Sequence, residues 1–261
     1  MNFKIIESER YFRYDIAGEA RMLFTTRRGG VSPGRYASLN MGYSTDDSKE
    51  HIYKNRAIVL AEFGLGIGRM VSSDQVHGIK VVGVTDASYD YGECDGLFTR
   101  QRGVVLCMYF ADCTPLYFYD DRNSAIGLSH AGWRGSCYNI ARESVRFMQK
   151  EYGTDVKYLK AVIGPSIAEC CFEVGSEVVE EFERELGFIN VTDFIRKSGG
   201  AADKFLMDLK GINRRLLNAC GILDENIYTH KICTSCERDT FYSYRRDARD
   251  TGRMAGLAFL V

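Results

Sequence analysis

Short apolar runs, rich in β-branched and aromatic residues and closed by turn residues, recur at residues 21–26, 79–85, 104–110, 116–119, 125–129, 159–163, 227–232 and 256–261. Runs of this length and composition predict strands. Helical spacing is confined to fewer places. It appears at Ile52, Arg56, Val59 and Phe63, in residues 136–152 with Ser136 as the cap, and in residues 175–186. It appears again at Phe205, Leu209, Ile212 and Leu216, where Asp203 is placed to cap the start and Gly221 to end the helix. Strands and helices alternate irregularly, and several strands are neighbours in sequence. That favours mixed sheets packed against helices over a regularly wound parallel sheet. No repeat, low-complexity segment or long linker divides the 261 residues, so one α/β (α+β) domain spanning 1–261 is expected.

Composition narrows the function classes. The chain is 45% hydrophobic and 26% charged, enough to bury a large core, which excludes disordered and fibrous classes. Lys and Arg number 34 against 35 Asp and Glu, a net charge of -1, so no overall field draws the molecule to nucleic acid or to an anionic membrane. The longest stretch free of these residues, 123–133, is well short of the ~20 apolar residues a membrane helix needs. Charges are spread through the first ten residues, where a signal peptide keeps an apolar run, and a cytoplasmic location is expected. Nine cysteines are an odd number in a chain too large to need stapling, so reduced thiols are expected.

Among the four histidines, two sit in glycine-containing segments: Asp74-Gln-Val-His77-Gly78 and Ser129-His130-Ala-Gly-Trp-Arg-Gly135. His51 and His230 have settings that read as solvated or structural. His77 opens an apolar run, and His130 closes one, where α/β proteins build sites. Between them Tyr109-Phe-Ala-Asp-Cys113 ends a third run. Two imidazoles and a thiolate suit zinc, and three protein ligands leave a fourth position open for water, as in catalytic sites. The alternative is that Cys113 packs as a small hydrophobe while the histidines bond the backbone. Cys94, Cys107, Cys137 and Cys220 have apolar or helical neighbours and read as core. Cys233-Thr-Ser-Cys236 has metal-knuckle spacing, but no second CxxC completes a four-thiolate set, and the adjacent Cys170 and Cys171 are not expected to complete it. Arg134, leading into a helix, and the loop Tyr242-Ser-Tyr-Arg245-Arg246-Asp247 with Thr251-Gly-Arg253 are candidate anion sites; a solvated, salt-bridged surface is the alternative for the loop.

Together these segments resemble the YfiH-type family, known as laccase-domain or multicopper polyphenol oxidase proteins and also described as zinc-dependent purine nucleoside phosphorylases. The resemblance runs from Arg27-Arg-Gly-Gly-Val-Ser and Ser38-Leu-Asn40 through Gln75-Val-His-Gly78, Ala111-Asp-Cys113 and Ser129-His-Ala-Gly-Trp-Arg-Gly135. It continues through Ile163-Gly-Pro165 and Cys170-Cys-Phe-Glu-Val-Gly175 to Phe241-Tyr-Ser-Tyr-Arg-Arg-Asp247 and Thr251-Gly-Arg253. Phe172 departs from the family's usual tyrosine, and Ser166 and Glu169 from its commoner choices. The resemblance implies a single-domain YfiH-like fold of layered mixed β-sheets flanked by helices. It also implies His77, Cys113 and His130 as metal ligands, zinc as the metal, and phosphorolysis of adenosine, inosine and S-methyl-5'-thioadenosine to free base and ribose 1-phosphate. Adenosine deamination is implied alongside. Within that chemistry Arg134 and Arg245 are expected to hold the anion, Asn40 and Gln75 to contact the substrate, and Asp112 or Glu173 to move the proton.

Two rivals follow from the same residues. A multicopper centre needs many imidazoles, and four histidines without a His-x-His pair cannot build one, although a single copper on two histidines and a cysteine is chemically reasonable. The other rival is metal-free hydrolysis, with Cys113 as nucleophile and His130 or His77 as its base, as in thiol amidases that would act on peptidoglycan precursors.

Overall fold

The computed structural model describes residues 4–16, 19–199 and 203–261, so residues 1–3 of the charged amino-terminal segment lie outside it. In chain order the strands begin with β1 (Lys4–Glu7), β2 (Tyr11–Asp15), β3 (Ala20–Thr25), β4 (Met70–Val71) and β5 (Val81–Gly83). Next come β6 (Gly96–Thr99), β7 (Val105–Phe110), β8 (Thr114–Asp120), β9 (Ala125–Ala131) and β10 (Lys160–Ile163). The last are β11 (Glu173–Gly175), β12 (Ile195–Lys197), β13 (Lys204–Met207), β14 (Ile227–Thr229) and β15 (Met254–Leu260). The helices are α1 (Lys49–Ala61), α2 (Trp133–Cys137), α3 (Ile140–Tyr152), α4 (Ser176–Glu185) and α5 (Leu209–Ala219).

Two six-stranded sheets carry the fold, ordered β1-β2-β3-β15-β7-β4 and β14-β10-β8-β9-β6-β5, with a small sheet β11-β13-β12 beside them. Both large sheets are mixed: β4 joins β7 in parallel, as do β14 with β10 and β5 with β6, while the other pairings are antiparallel. The sheets face each other across a core of Phe24, Phe110, Tyr117, Leu128 and Met254, and the Tyr117 hydroxyl donates to the Leu23 carbonyl across the interface at 2.5 Å. Fully burying side chains of this size contributes about 1.5–3 kcal/mol each. Helix α1 covers the outer face of the first sheet through Val59 and Leu60. Helices α3 and α5 cover the second through Val145, Met148, Ile212 and Leu216. The layers are helix, sheet, sheet, helix, as expected of one domain with mixed sheets. Among the described residues no helix is long and apolar enough to cross a membrane.

Two helix boundaries differ from expectation. Phe205 lies in β13, and the helix after it is capped by Asp208, whose side chain accepts from the Gly211 amide, rather than by Asp203. The apolar spacing at 205–209 is shared by a strand and the helix it feeds. Gly221, at φ +96°, does end the helix. The helix expected over 136–152 is broken into α2 and α3 by Asn139, which takes a left-handed conformation and caps α3 by accepting from the Arg142 amide, while Gly132 stands at the N-cap of α2 in place of Ser136.

Candidate metal centre

The site forms where β8 and β9 run side by side. Their antiparallel register pairs Thr114 with Ala131 and Pro115 with His130, so Cys113, just before β8, lies close to the carboxyl end of β9. His77 reaches them from the loop between β4 and β5. The ligand atoms of His77, Cys113 and His130 all lie within 4.8 Å of one another, and the two imidazole rings meet edge to face at 4.8 Å between centroids. His130 is 3% exposed, while His77 is exposed and Cys113 half-buried, so the trio opens to solvent on one side.

Asp95, completely buried, organises two of the three. Its Oδ1 lies 2.8 Å from His130 Nδ1 and accepts the His77 amide at 3.1 Å, while its Oδ2 accepts the amides of Val76 and Gly78 at 3.2 and 2.8 Å. The Asp95 carbonyl also accepts the His130 amide at 2.7 Å. One carboxylate therefore holds the His77 loop by three backbone amides and leaves His130 Nε2 to face the site. This is the outer partner that fixes the tautomer and orientation of a metal-binding imidazole. Burial pushes the Asp95 carboxyl up, but His130 and the amides outweigh it and hold it below the usual range.

Backbone conformation is specialised at two points. His77 at φ +60° and Asp112 at φ +83° are both in the left-handed region, uncommon for residues with side chains; the first belongs to the trio and the second precedes Cys113. Gly132 supplies space: a Cβ there would lie 3.0 Å from His77 Cδ2 and 3.2 Å from Cys113 Sγ. For Cys113, burial opposes ionisation, yet His130 and His77 reverse the balance and draw the thiol below its ordinary range. For His130, burial favours the neutral ring, but Cys113 and Asp95 push its pKa up. The donor set, two imidazoles and a readily ionised thiol with an oriented outer carboxylate, fits a divalent zinc-type ion with an open coordination position.

The other expected site residues surround the trio in different states. Asp112 is buried: its Oδ1 accepts the Thr234 hydroxyl at 2.7 Å, and its Oδ2 accepts the Ser243 hydroxyl and the Arg245 amide, each at 2.8 Å. Gln75 grips the Tyr109 backbone with both ends of its amide, at 2.9 and 2.7 Å. Asn40 donates to Thr45 and Asp47 and accepts the amides of Gly42 and Arg253. Glu173 is exposed, with Oε2 accepting from Ser198. Arg134 is exposed, its guanidinium 4.2 Å above the Trp133 ring. Arg245 is exposed and donates to the carbonyls of Glu173 and Cys171 at 2.8 and 3.4 Å. Arg246, by contrast, is held by Asp247 and by the carbonyls of Thr234, Ser235 and Phe241, and so acts as a loop brace. Half-buried Arg253 interacts electrostatically with Cys113 and Asp112. His51 bonds Asp47, and His230 is buried among aromatic rings, both away from the trio.

One expectation about cysteines is corrected. Cys170, Cys171, Cys233 and Cys236 converge, with all four sulfurs within 4.8 Å of one another. The bridge between Ser166 and Cys233 brings together two loops that are remote in sequence, so the adjacent pair does come to lie beside Cys233 and Cys236. Cys94, Cys107 and Cys137 are buried and Cys220 packs against the core, as expected.

The fold and site define a class: a layered α/β chain in which paired strand ends and a neighbouring loop bring together two histidines and a cysteine that could hold a metal. Residues 21–261 match the family described as multi-copper polyphenol oxidoreductase laccase, and the chain belongs to that family. It is 35% identical over 240 residues to the purine nucleoside phosphorylase YlmD of Bacillus subtilis (strain 168), covering 88% of this chain and 85% of that one. It is 34% identical over 237 residues to the purine nucleoside phosphorylase YfiH of Escherichia coli (strain K12), covering 91% and 92%. Among solved structures, the Bacillus licheniformis hypothetical protein YfiH superposes with a TM-score of 0.93 at 31% identity, covering 99% of each chain. YlmD from Geobacillus stearothermophilus superposes at 0.90 with 33% identity, covering 99% of this chain and 98% of that one.

Proposed function

We propose that this chain is a zinc-dependent purine nucleoside phosphorylase, cleaving inosine, adenosine and S-methyl-5'-thioadenosine with phosphate to the free base and ribose 1-phosphate, with adenosine deamination as a lesser activity. The observation that carries the reading is the convergence of His77, Cys113 and His130 in a chain whose relatives, matched over most of their length, are named purine nucleoside phosphorylases. His77, Cys113 and His130 would hold the metal, which when bound supplies Lewis-acid charge at the open side of the trio.

The remaining work falls to side chains. Phosphorolysis requires a phosphate oxygen to bond the ribose C1' as the C1'–N9 bond breaks and the base leaves with the electron pair, taking up a proton. Arg134 and Arg245 are exposed cations on elements adjoining the trio, and holding phosphate there gives both proximity and charge stabilisation. Glu173, exposed beside Arg245, is assigned the proton delivered to the departing base. Asp112 has both oxygens engaged and orients the Arg245 segment. Gln75 and Asn40 act on the substrate through the backbone they hold, Gln75 at Tyr109 and Asn40 at Arg253. The reading includes a cytoplasmic setting, with which the expected reduced thiols agree.

The test is incubation with inosine and with adenosine, with and without phosphate, followed by product identification. Phosphate-dependent ribose 1-phosphate is the expected product, and ammonia from adenosine reports the lesser activity. Free ribose in place of ribose 1-phosphate, or no turnover, would reject the reading. Stoichiometric copper with blue absorption in protein purified without added copper would favour the electron-transfer rival instead.

A further inference from the structure

We propose that Cys170, Cys171, Cys233 and Cys236 form a second, four-thiolate metal site, a structural one for a soft divalent ion such as zinc, separate from the His77, Cys113 and His130 group. The sulfurs of Cys170 and Cys171 are 3.8 Å apart, those of Cys170 and Cys236 3.6 Å, and those of Cys171 and Cys236 3.4 Å. A tetrahedral zinc with bonds of about 2.3 Å sets its sulfurs about 3.8 Å from one another. No such pair is at the roughly 2.05 Å separation of a disulfide. The spacing is that of ligands around a common centre.

The local backbone is built for thiolates. Residues 233–236 form a turn closed by the Glu237 amide donating to the Cys233 carbonyl at 3.1 Å. The Ala168 amide donates to Cys233 Sγ at 3.3 Å. An amide directed at sulfur compensates negative charge that a neutral thiol does not carry. Across from this turn, the amides of Cys171 and Phe172 both donate to the Ala168 carbonyl, at 2.9 and 3.0 Å, curling the chain so that two successive cysteines face the same turn. The buried ammonium of Lys210 interacts with Cys233 and Cys170, partly offsetting the negative charge of a four-thiolate site.

The ion would clasp two loops otherwise joined mainly through backbone bonds. On one side the Cys171 carbonyl accepts from Arg245, and on the other Thr234, next to Cys233, donates to Asp112 beside Cys113. The four-thiolate site thus stands behind the segment that presents Arg245, and its role is to hold that segment in place.

The test is metal content of protein purified without chelator, measured for the wild type, Cys236→Ser and Cys113→Ser. Two equivalents are expected in the wild type. Cys236→Ser should lose one and keep the other, and Cys113→Ser should show the reciprocal loss. Equal content in wild type and Cys236→Ser overturns the proposal. A second measurement needs no variant: zinc-loaded wild type is treated with a maleimide before and after chelation, and the modified cysteines are mapped by mass spectrometry. Exposed Cys170 and Cys236 should be protected until chelation and then react. Reaction in the zinc-loaded protein, or a disulfide between any two of the four, contradicts the site.

Discussion

Asp95 Oδ1 stands 2.8 Å from His130 Nδ1 and takes the His77 amide at 3.1 Å, so a single buried carboxylate holds the ring of His130 and the backbone of His77. Replacing Asp95 with Asn keeps the size but turns one acceptor into a donor facing backbone amides. Metal affinity at the trio should fall by about 10–100-fold. A competitive chelator titration of Asp95→Asn against wild type checks this, and equal affinity would mean that the carboxylate does not orient the ligands.

Gly132 is the floor of the site, where an added Cβ would meet His77 at 3.0 Å and Cys113 at 3.2 Å. Its φ of -66° suits any residue, so the constraint is space alone. Gly132→Ala should therefore fold, yet lose metal from the trio as the ligands are pushed apart. Circular dichroism and metal content together decide it: full metal occupancy in a folded Gly132→Ala would show that the ligands do not close over this position.

His230 makes stability depend on pH. It is 6% exposed, its Nδ1 accepts the Ile232 amide at 3.2 Å, and the rings of Phe12, Tyr14 and Tyr228 surround it. Burial, and then the charge of Lys210, lower its pKa to about 4. The unfolded chain binds this proton near pH 6.5. The neutral ring's contribution, about 3 kcal/mol, is fully present above that pH and is lost as pH falls toward 4. Urea midpoints measured from pH 7 to pH 4 should fall more steeply for wild type than for His230→Asn. Parallel slopes would remove His230 as the cause.

Much of this was legible in the sequence because it is local. The apolar runs at 104–110, 125–129 and 159–163 became β7, β9 and β10 with small boundary shifts, since their alternation with turn residues is set within a few positions. The convergence of His77, Cys113 and His130 was legible because each stands at or next to the end of an apolar run. Strands β11 to β13 were not, because three- and four-residue segments carry little periodicity and exist only by pairing with one another. Asp95 was missed although it had a signal: a lone carboxylate between Cys94 and the apolar Gly96-Leu97-Phe98 must be paired if that run is buried. The four-cysteine cluster was hidden for a different reason. Its halves are 65 residues apart between Cys171 and Cys236, and tertiary contacts of Ser166 and Ala168 with Cys233 and Thr234 bring them together.

Cys113 joins the metal group to the proposed chemistry, and its removal tests both at once. Purified Cys113→Ala is compared with wild type for metal content and for ribose 1-phosphate formed from inosine and phosphate. The expected result is loss of the metal held by the trio, with product formation down by at least ~100-fold, in a chain whose circular dichroism is unchanged. Unchanged metal content together with undiminished ribose 1-phosphate would contradict the account.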